Sequence, residues 1–272
     1  MKNKTTIWIK IVILSILTLA LVGVLIAGIL GKGFGSIPFF STISSYDHAD
    51  RYQVGNAELD APTLKKLSID WISGNVSIKT YDGQTIKIYE PGSENRKDSD
   101  RVHYYYQDGA LYIQFRESGS IFSFFHDLKN KDLEISIPET LAGSISEISG
   151  DVVSANTTIT GISTDKFSLD TVSGDLSFDG NVNKVDSDSV SGKCNITSHV
   201  TPQSVDMESV SGDISLCIPE NSDFEAEKDS VSGDLTCGFS STSSNDKITC
   251  GAGTNKYDFE TVSGDINIIP NK

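Results

Sequence analysis

The chain has 272 residues and is strongly acidic, with 37 Asp and Glu against 22 Lys and Arg, a formal net charge of −15 and a pI near 4.6. Residues 33–272 hold all 37 acidic side chains but only 18 of the basic ones. That balance argues against a nucleic-acid partner and against docking on an anionic lipid surface, both of which attract basic patches.

Residues 1–6 are polar and basic and read as a cytoplasmic tail. Ile11 to Leu30 carries no charge, and Ile7, Trp8 and Ile9 extend the apolar run upstream. Twenty residues at about 1.5 Å each span roughly 30 Å, the thickness of a bilayer core. Residues 7–31 are therefore expected to form a transmembrane signal-anchor helix. Lys2, Lys4 and Lys10 precede the run and Lys32 follows it, which leaves the N-terminus in the cytoplasm and the rest of the chain outside. A cleaved signal peptide is disfavoured, because Leu25-Ile26-Ala27 puts a bulky residue where a small one is required. Residues 32–56 read as a flexible juxtamembrane stalk, and 57–272 as an extracellular domain.

The domain opens with Leu67, Ile69 and Trp71, apolar residues two apart, leading into Ile72-Ser73-Gly74-Asn75 and leaving through Val76 and Ile78. Tyr81-Asp82-Gly83-Gln84 turns into Ile86 and Ile88, and Glu90 to Arg101 reads as an exposed charged loop. Gln107-Asp108-Gly109, between Val102–Tyr106 and Ala110–Phe115, predicts a hairpin. The segment 118–131, with Ile121, Phe122, Phe124 and Phe125, is an apolar insertion expected to cap an end of the domain. Leu133, Ile135 and Ile137 form a strand ending at Pro138.

From there one tetrapeptide recurs. Val-Ser-Gly-Asp stands at 172–175, 210–213, 231–234 and 262–265, with the variants Ile148-Ser149-Gly150-Asp151 and Val190-Ser191-Gly192-Lys193. Period-two apolar alternation precedes each copy (Phe167 and Leu169, Val205 and Met207, Tyr257 and Phe259) and resumes out of phase after it (Leu176 and Phe178, Ile214 and Leu216, Ile266 and Ile268). A strand changes phase only at a bend, which Gly permits and which Ser and Asp hold by hydrogen bonding to backbone. The copies fall 24, 18, 20, 21 and 31 residues apart, too close for a helical crossover and about right for one coil of a solenoid. The expected fold is all-β, a single-stranded β-helix or β-solenoid-like repeat domain preceded by one transmembrane helix. An antiparallel sandwich is the alternative, but it does not ask for the same turn seven times. The chain's end at Ile269-Pro270 is expected to blunt an edge of the sheet.

No nucleophile motif, Walker motif or dinucleotide fingerprint is present, and His48, His103, His126 and His199 have no metal-ligand spacing. No cofactor is expected. Cys237 and Cys250 are the pair best placed for a disulfide, while Cys194 and Cys237 also suit apolar-facing positions as free thiols. The repeat corners, Gly74/Asn75, Gly150/Asp151, Gly174/Asp175, Gly192/Lys193, Gly212/Asp213, Gly233/Asp234 and Gly264/Asp265, are expected to stack in one line. Aspartates stacked one strand apart repel. Weak Ca²⁺ binding would relieve that; the competing reading is that each Asp bonds its own turn and faces water.

These features together, the basic-flanked N-terminal apolar run, the corner at Ile72-Ser73-Gly74-Asn75, the Asp108-Gly109 hairpin, the strand closing at Ile137-Pro138 and the serial Val-Ser-Gly-Asp corners, resemble the bacterial adhesin-like family, a domain of unknown function that includes LiaG-like membrane-anchored proteins linked to envelope stress in Gram-positive bacteria. The resemblance spans roughly Leu59 to Pro270 and implies a β-helical cell-surface domain without established catalytic residues; Asn75 and Lys193 depart from its Asp. The function expected is that of a non-enzymatic module binding another protein or an envelope component. Alternatives are a calcium-dependent adhesin and a polysaccharide-active enzyme, for which Tyr104, Tyr105 and Tyr106 near Glu117 would be the aromatic platform.

Overall fold

The computed structural model describes residues 46, 48–118, 131–244 and 246–271. The expected tail, anchor helix and most of the stalk lie outside the described residues, as does the 118–131 insertion save its two end residues. Asp50–Glu117 with Lys129–Lys272 form one compact unit; the other, Met1–Ala49 with Ser118–Leu128, contributes only Tyr46, His48, Ala49 and Ser118 to the described residues.

The strands are, in chain order, β1 Gln53–Val54, β2 Ala57–Leu59, β3 Lys66–Tyr81, β4 Ile86–Tyr89, β5 His103–Gln107, β6 Ala110–Gln114 and β7 Leu133–Pro138. After the one-turn helix α1 Glu139–Ala142 come β8 Ile145–Ser173, β9 Leu176–Ser191, β10 Cys194–Ser198, β11 Ser204–Ser211, β12 Ile214–Pro219, β13 Phe224–Ser232, β14 Leu235–Cys237, β15 Thr242–Ser244, β16 Lys247–Cys250, β17 Asn255–Ser263 and β18 Ile266–Asn271. Parallel pairing of β3, β8, β9, β11 and β17 on one side of the corners, and of β9, β10, β12 and β18 on the other, establishes the solenoid over the sandwich. Alternation supplies the core. On the downstream side Leu176, Cys194, Ile214 and Ile266 pair rung on rung, as do Phe178, Ile196, Leu216 and Ile268, and all eight are buried.

The expected hairpin forms, β5 against β6, through Asp108 at φ 52° and Gly109 at φ 83°. Three expectations are corrected. Glu90–Arg101 is not a wholly exposed loop. Glu90 is fully buried, its carboxylate 3.0 Å from Arg96 Nε and 3.3 Å from Lys131 Nζ, and it accepts the N–H of Val102. Lys131 is itself buried beneath Trp71 and Phe115, and burial depresses its ammonium pKa to about 8 despite the partner charge. A buried polar junction thus ties this segment to the first rung. Second, β1 pairs with β5 inside the segment read as stalk.

The third concerns the order of rungs. Chain order puts the corner at Gly264 last; in space, β17–β18 lie between β11–β12 and β13–β14. The chain builds the outermost rung first, over Phe224–Cys237, then returns through the antiparallel β15–β16 hairpin to fill the gap beneath it. Pro270 still blunts an edge, but one left locally by the end of β14 and not the edge of a last rung. It pairs with Ile218 on one side, and β14 stops at Cys237, opposite Ile268, before reaching it. The long 31-residue step accommodates that hairpin.

Corner glycines are demanded by close approach. A Cβ at Gly212 would stand 2.0 Å from the carbonyl oxygen of Gly192, which is backbone and cannot swing away. Gly143, after α1, has nothing within 4 Å. Gly212→Ala is expected to cost about 3 kcal/mol in denaturant unfolding, while Gly143→Ala stays within about 0.5 kcal/mol; equal effects would contradict the stacking argument.

Candidate functional site

The repeated corners form a column, with one substitution that the sequence pattern hides. Ser73 pairs with Ser154, Gly74 with Ala155 and Asn75 with Asn156, so the corner of the second rung is Val153-Ser154-Ala155-Asn156. Gly150 and Asp151 lie elsewhere, against Ile69 and Asp70. From Asn156 the column runs Asp175, Lys193, Asp213, Asp265, Asp234.

At Asp175, Lys193, Asp265 and Asp234 the corner residue is held at both ends of its backbone by the rung before it. Asn156 Oδ1 accepts the N–H of Asp175 (3.0 Å), Asp175 Oδ1 that of Lys193 (2.9 Å), Asp213 Oδ1 that of Asp265 (3.2 Å) and Asp265 Oδ1 that of Asp234 (3.0 Å). At the opening of the series Asp132 Oδ1 accepts the N–H of Asn75 (2.9 Å). In the other direction the residue after each corner donates its N–H to the next corner's carbonyl: Thr157 to Asp175, Leu176 to Lys193, Cys194 to Asp213, Ile214 to Asp265 and Ile266 to Asp234, all at 2.8–2.9 Å. The aspartates thus bond not their own turn but the next rung's. Lys193 has no acceptor to offer the N–H of Asp213, and its ammonium lies 3.8 Å from the Asp213 carboxylate instead.

A second acidic column escaped the sequence reading, although its signal is plain once the corners are aligned. Five residues before every corner residue stands an acid: Asp70, Asp151, Asp170, Asp188, Glu208, Glu260 and, in the outermost rung, Asp229. The N–H of Asp151 donates to Asp70 Oδ1 and that of Asp188 to Asp170 Oδ1. Desolvation and then the charges of Asp70 and Asp170 push the Asp151 carboxyl up to about 6. Asp188 rises for the same two reasons, with Asp170, Glu208, Asp186 and Asp206 around it.

The remaining sequence candidates are dispersed. Cys194, Cys217, Cys237 and Cys250 are free thiols, Cys194 packed in the core column. His199 pairs with Asp179 at 2.8 Å. Tyr104 is buried and donates to Gln53, and Tyr106 donates to the carbonyl of Thr63; Tyr105 stacks with Tyr112. Among the described residues no group of three or more His, Cys, Asp or Glu is placed to hold a metal ion.

The Toastrack profile, DUF4097, matches residues 64–180 and again residues 144–269, each match covering several corners. The chain belongs to the Toastrack family. Among curated proteins none matches it in sequence. Among solved structures it is similar to a provisionally named cell adhesion protein from Clostridium sporogenes (12% identity, 81% of this chain and 100% of that one, TM-score 0.49). It is also similar to a provisionally named adhesin from Bacteroides fragilis (15%, 80% and 97%, 0.41) and a provisionally named lipid-binding protein from Parabacteroides distasonis (10%, 80% and 96%, 0.35). At these identities and TM-scores the likenesses fix neither ligand nor activity of this Toastrack chain.

Two outcomes follow from the two columns. Asp175→Ala removes the acceptor beneath Lys193 and should lower stability by about 1–2 kcal/mol, whereas Asp234→Ala, with no rung above it, should change it by less than about 0.5 kcal/mol; chemical denaturation distinguishes them. For Asp151 the folded carboxyl binds its proton more tightly than the unfolded one, so its contribution is full below about pH 4 and is lost as pH rises through 6. The stability gained by Asp151→Asn over wild type should therefore grow from near nil at about pH 4 to roughly 1–2 kcal/mol above pH 7; a gap that does not depend on pH would contradict the assignment.

Proposed function

We propose that this Toastrack protein is a membrane-anchored, extracellular, non-enzymatic module that binds another protein or an envelope component, held to the cytoplasmic membrane through residues 7–31 with its N-terminus inside. The observation that carries this reading is how the repeated motif is used. The Ser-Gly-Asp groups, the most conspicuous recurrent polar constellation in the sequence, are engaged in joining rung to rung, through Asp175 to Lys193 and Asp265 to Asp234. Such an arrangement builds a scaffold and leaves recognition to the exposed faces and ends. The uncharged run from Ile11 to Leu30 and the excess of lysine before it support the anchor and its orientation. A role beside an envelope-stress system is the version that the family resemblance favours.

Protease added to intact cells tests the topology. The reading expects residues 57–272 to be degraded from outside while an epitope fused ahead of Met1 survives. Protection of the domain until the cells are lysed would overturn it.

A further inference from the structure

The corner column is directional, and it ends open. At Asp175, Lys193, Asp213, Asp265 and Asp234 the corner carbonyl is taken by an N–H of the preceding rung, and at four of these positions the corner N–H is taken by the preceding side-chain oxygen. One peptide residue is thereby gripped through both its N–H and its C=O. Asp234 and Leu235 present the same two groups, a carboxylate and the N–H after it, to the place a further rung would occupy. Among the described residues β14 pairs along one side only, with β18. Gly238 N–H turns back to Ile268 and Ile266 N–H to Asp234, so the alternation of a parallel ladder leaves the N–H groups of Leu235 and Cys237 facing outward.

The first part of this end is closed. β16 covers Phe224–Glu227, and Lys228 stands at the inward position that Phe259 fills one rung below, its ammonium 2.8 Å from the carbonyl of Gly233. Among the described residues the opening thus runs from Asp229 through the corner to Cys237. Its apolar side chains remain partly uncovered. Leu235 and Cys237 are half-buried where Ile266 and Ile268 beneath them are fully buried, and Val231 is 62% exposed. Both acidic columns terminate here, in Asp229 and Asp234, with Glu227 and Asp246 close to Asp229. A second copy of this end would bring these acids against their own counterparts.

We propose that Asp234–Cys237 captures an extended segment of a partner protein by parallel strand addition, a segment with alternating apolar residues and basic side chains that lie beside Asp229 and Asp234. The partner's backbone would supply the carbonyl for the Leu235 N–H and the N–H for the Asp234 carboxylate, as Lys193 does for Asp175 and Asp234 for Asp265. This rests on the reading of the chain as a binding module.

The probe is a short synthetic peptide of alternating lysine and valine, with its backbone N-methylated analogue as control, added to the full-length chain while amide hydrogen exchange is followed residue by residue. The expected result is slowed exchange at Leu235 and Cys237 with the peptide and none with the analogue. Binding should be roughly tenfold weaker in Leu235→Pro and in Asp234→Ala, the equivalent of about one net hydrogen bond each. Leu235→Pro removes an outward N–H and no ladder bond, so the fold survives it. Unchanged exchange at both amides in saturating peptide would overturn the proposal. Protection of other surfaces alone would also overturn it, though not the binding-module reading, and protection of the same two amides that grows with protein concentration in the absence of peptide would assign this end to a second copy instead.

Discussion

The structure depends on one contact made again at each rung, the passage of a corner peptide directly over the backbone of the rung before it. The carbonyl of Gly192 leaves no room for a side chain on Gly212, and at that distance the corner N–H of one rung can be reached by the side-chain oxygen of the last, as Asp175 reaches Lys193. Glycine and aspartate are therefore two halves of one requirement. The first lets the strands approach; the second satisfies a donor that the bend has turned away from the ordinary ladder. Repulsion between stacked carboxylates is tolerated because each is also an acceptor, and where Lys193 interrupts the column the charge is relieved but the acceptor is lost.

A directional column needs two different ends. At the opening, Asp132 serves the first corner, and the buried Glu90 and Lys131, with the half-buried Arg96, close the junction at Trp71. At the far end the β15–β16 hairpin and Lys228 cover part of the outermost rung, and among the described residues β14 is left with one partner. Because the chain runs through the outermost rung before the one beneath it, Ile266–Ile268 of β18 lie between β12 and β14. The second acidic column, from Asp70 to Asp229, follows the same stacking and concentrates charge along one line of the surface.

Much of this is legible in the sequence because the side chains obey two strict periods, alternation within a strand and the corner between strands. The solenoid, the Asp108-Gly109 hairpin and the core columns at Leu176 and Phe178 follow from them. Ile148-Ser149-Gly150-Asp151 misleads for a physical reason. It has the right residues, and Gly150 does pass close to a neighbour, the carbonyl of Ile69, but the register of β3 on β8 assigns the corner to Ser154-Ala155-Asn156. Stacking order is hidden for a related reason: identical corners are interchangeable partners, so nothing local says that Gly264 sits between Gly212 and Gly233. Glu90 looked exposed because charge alone was counted, while its partners Lys131 and Arg96 are brought to it only by the fold. The acids five residues before each corner were visible all along, but only alignment on the true corners shows them as a column.

The most direct measurement is the hydrogen exchange of the corner amides themselves. Side-chain acceptance across rungs predicts slow exchange at Asp175, Lys193 and Asp265, whose N–H groups are held by Asn156, Asp175 and Asp213, and faster exchange at Asp213, which follows the acceptor-free Lys193. Uniform exchange at all four would contradict the account, since the carboxylates would then contribute nothing to the stacking of the rungs.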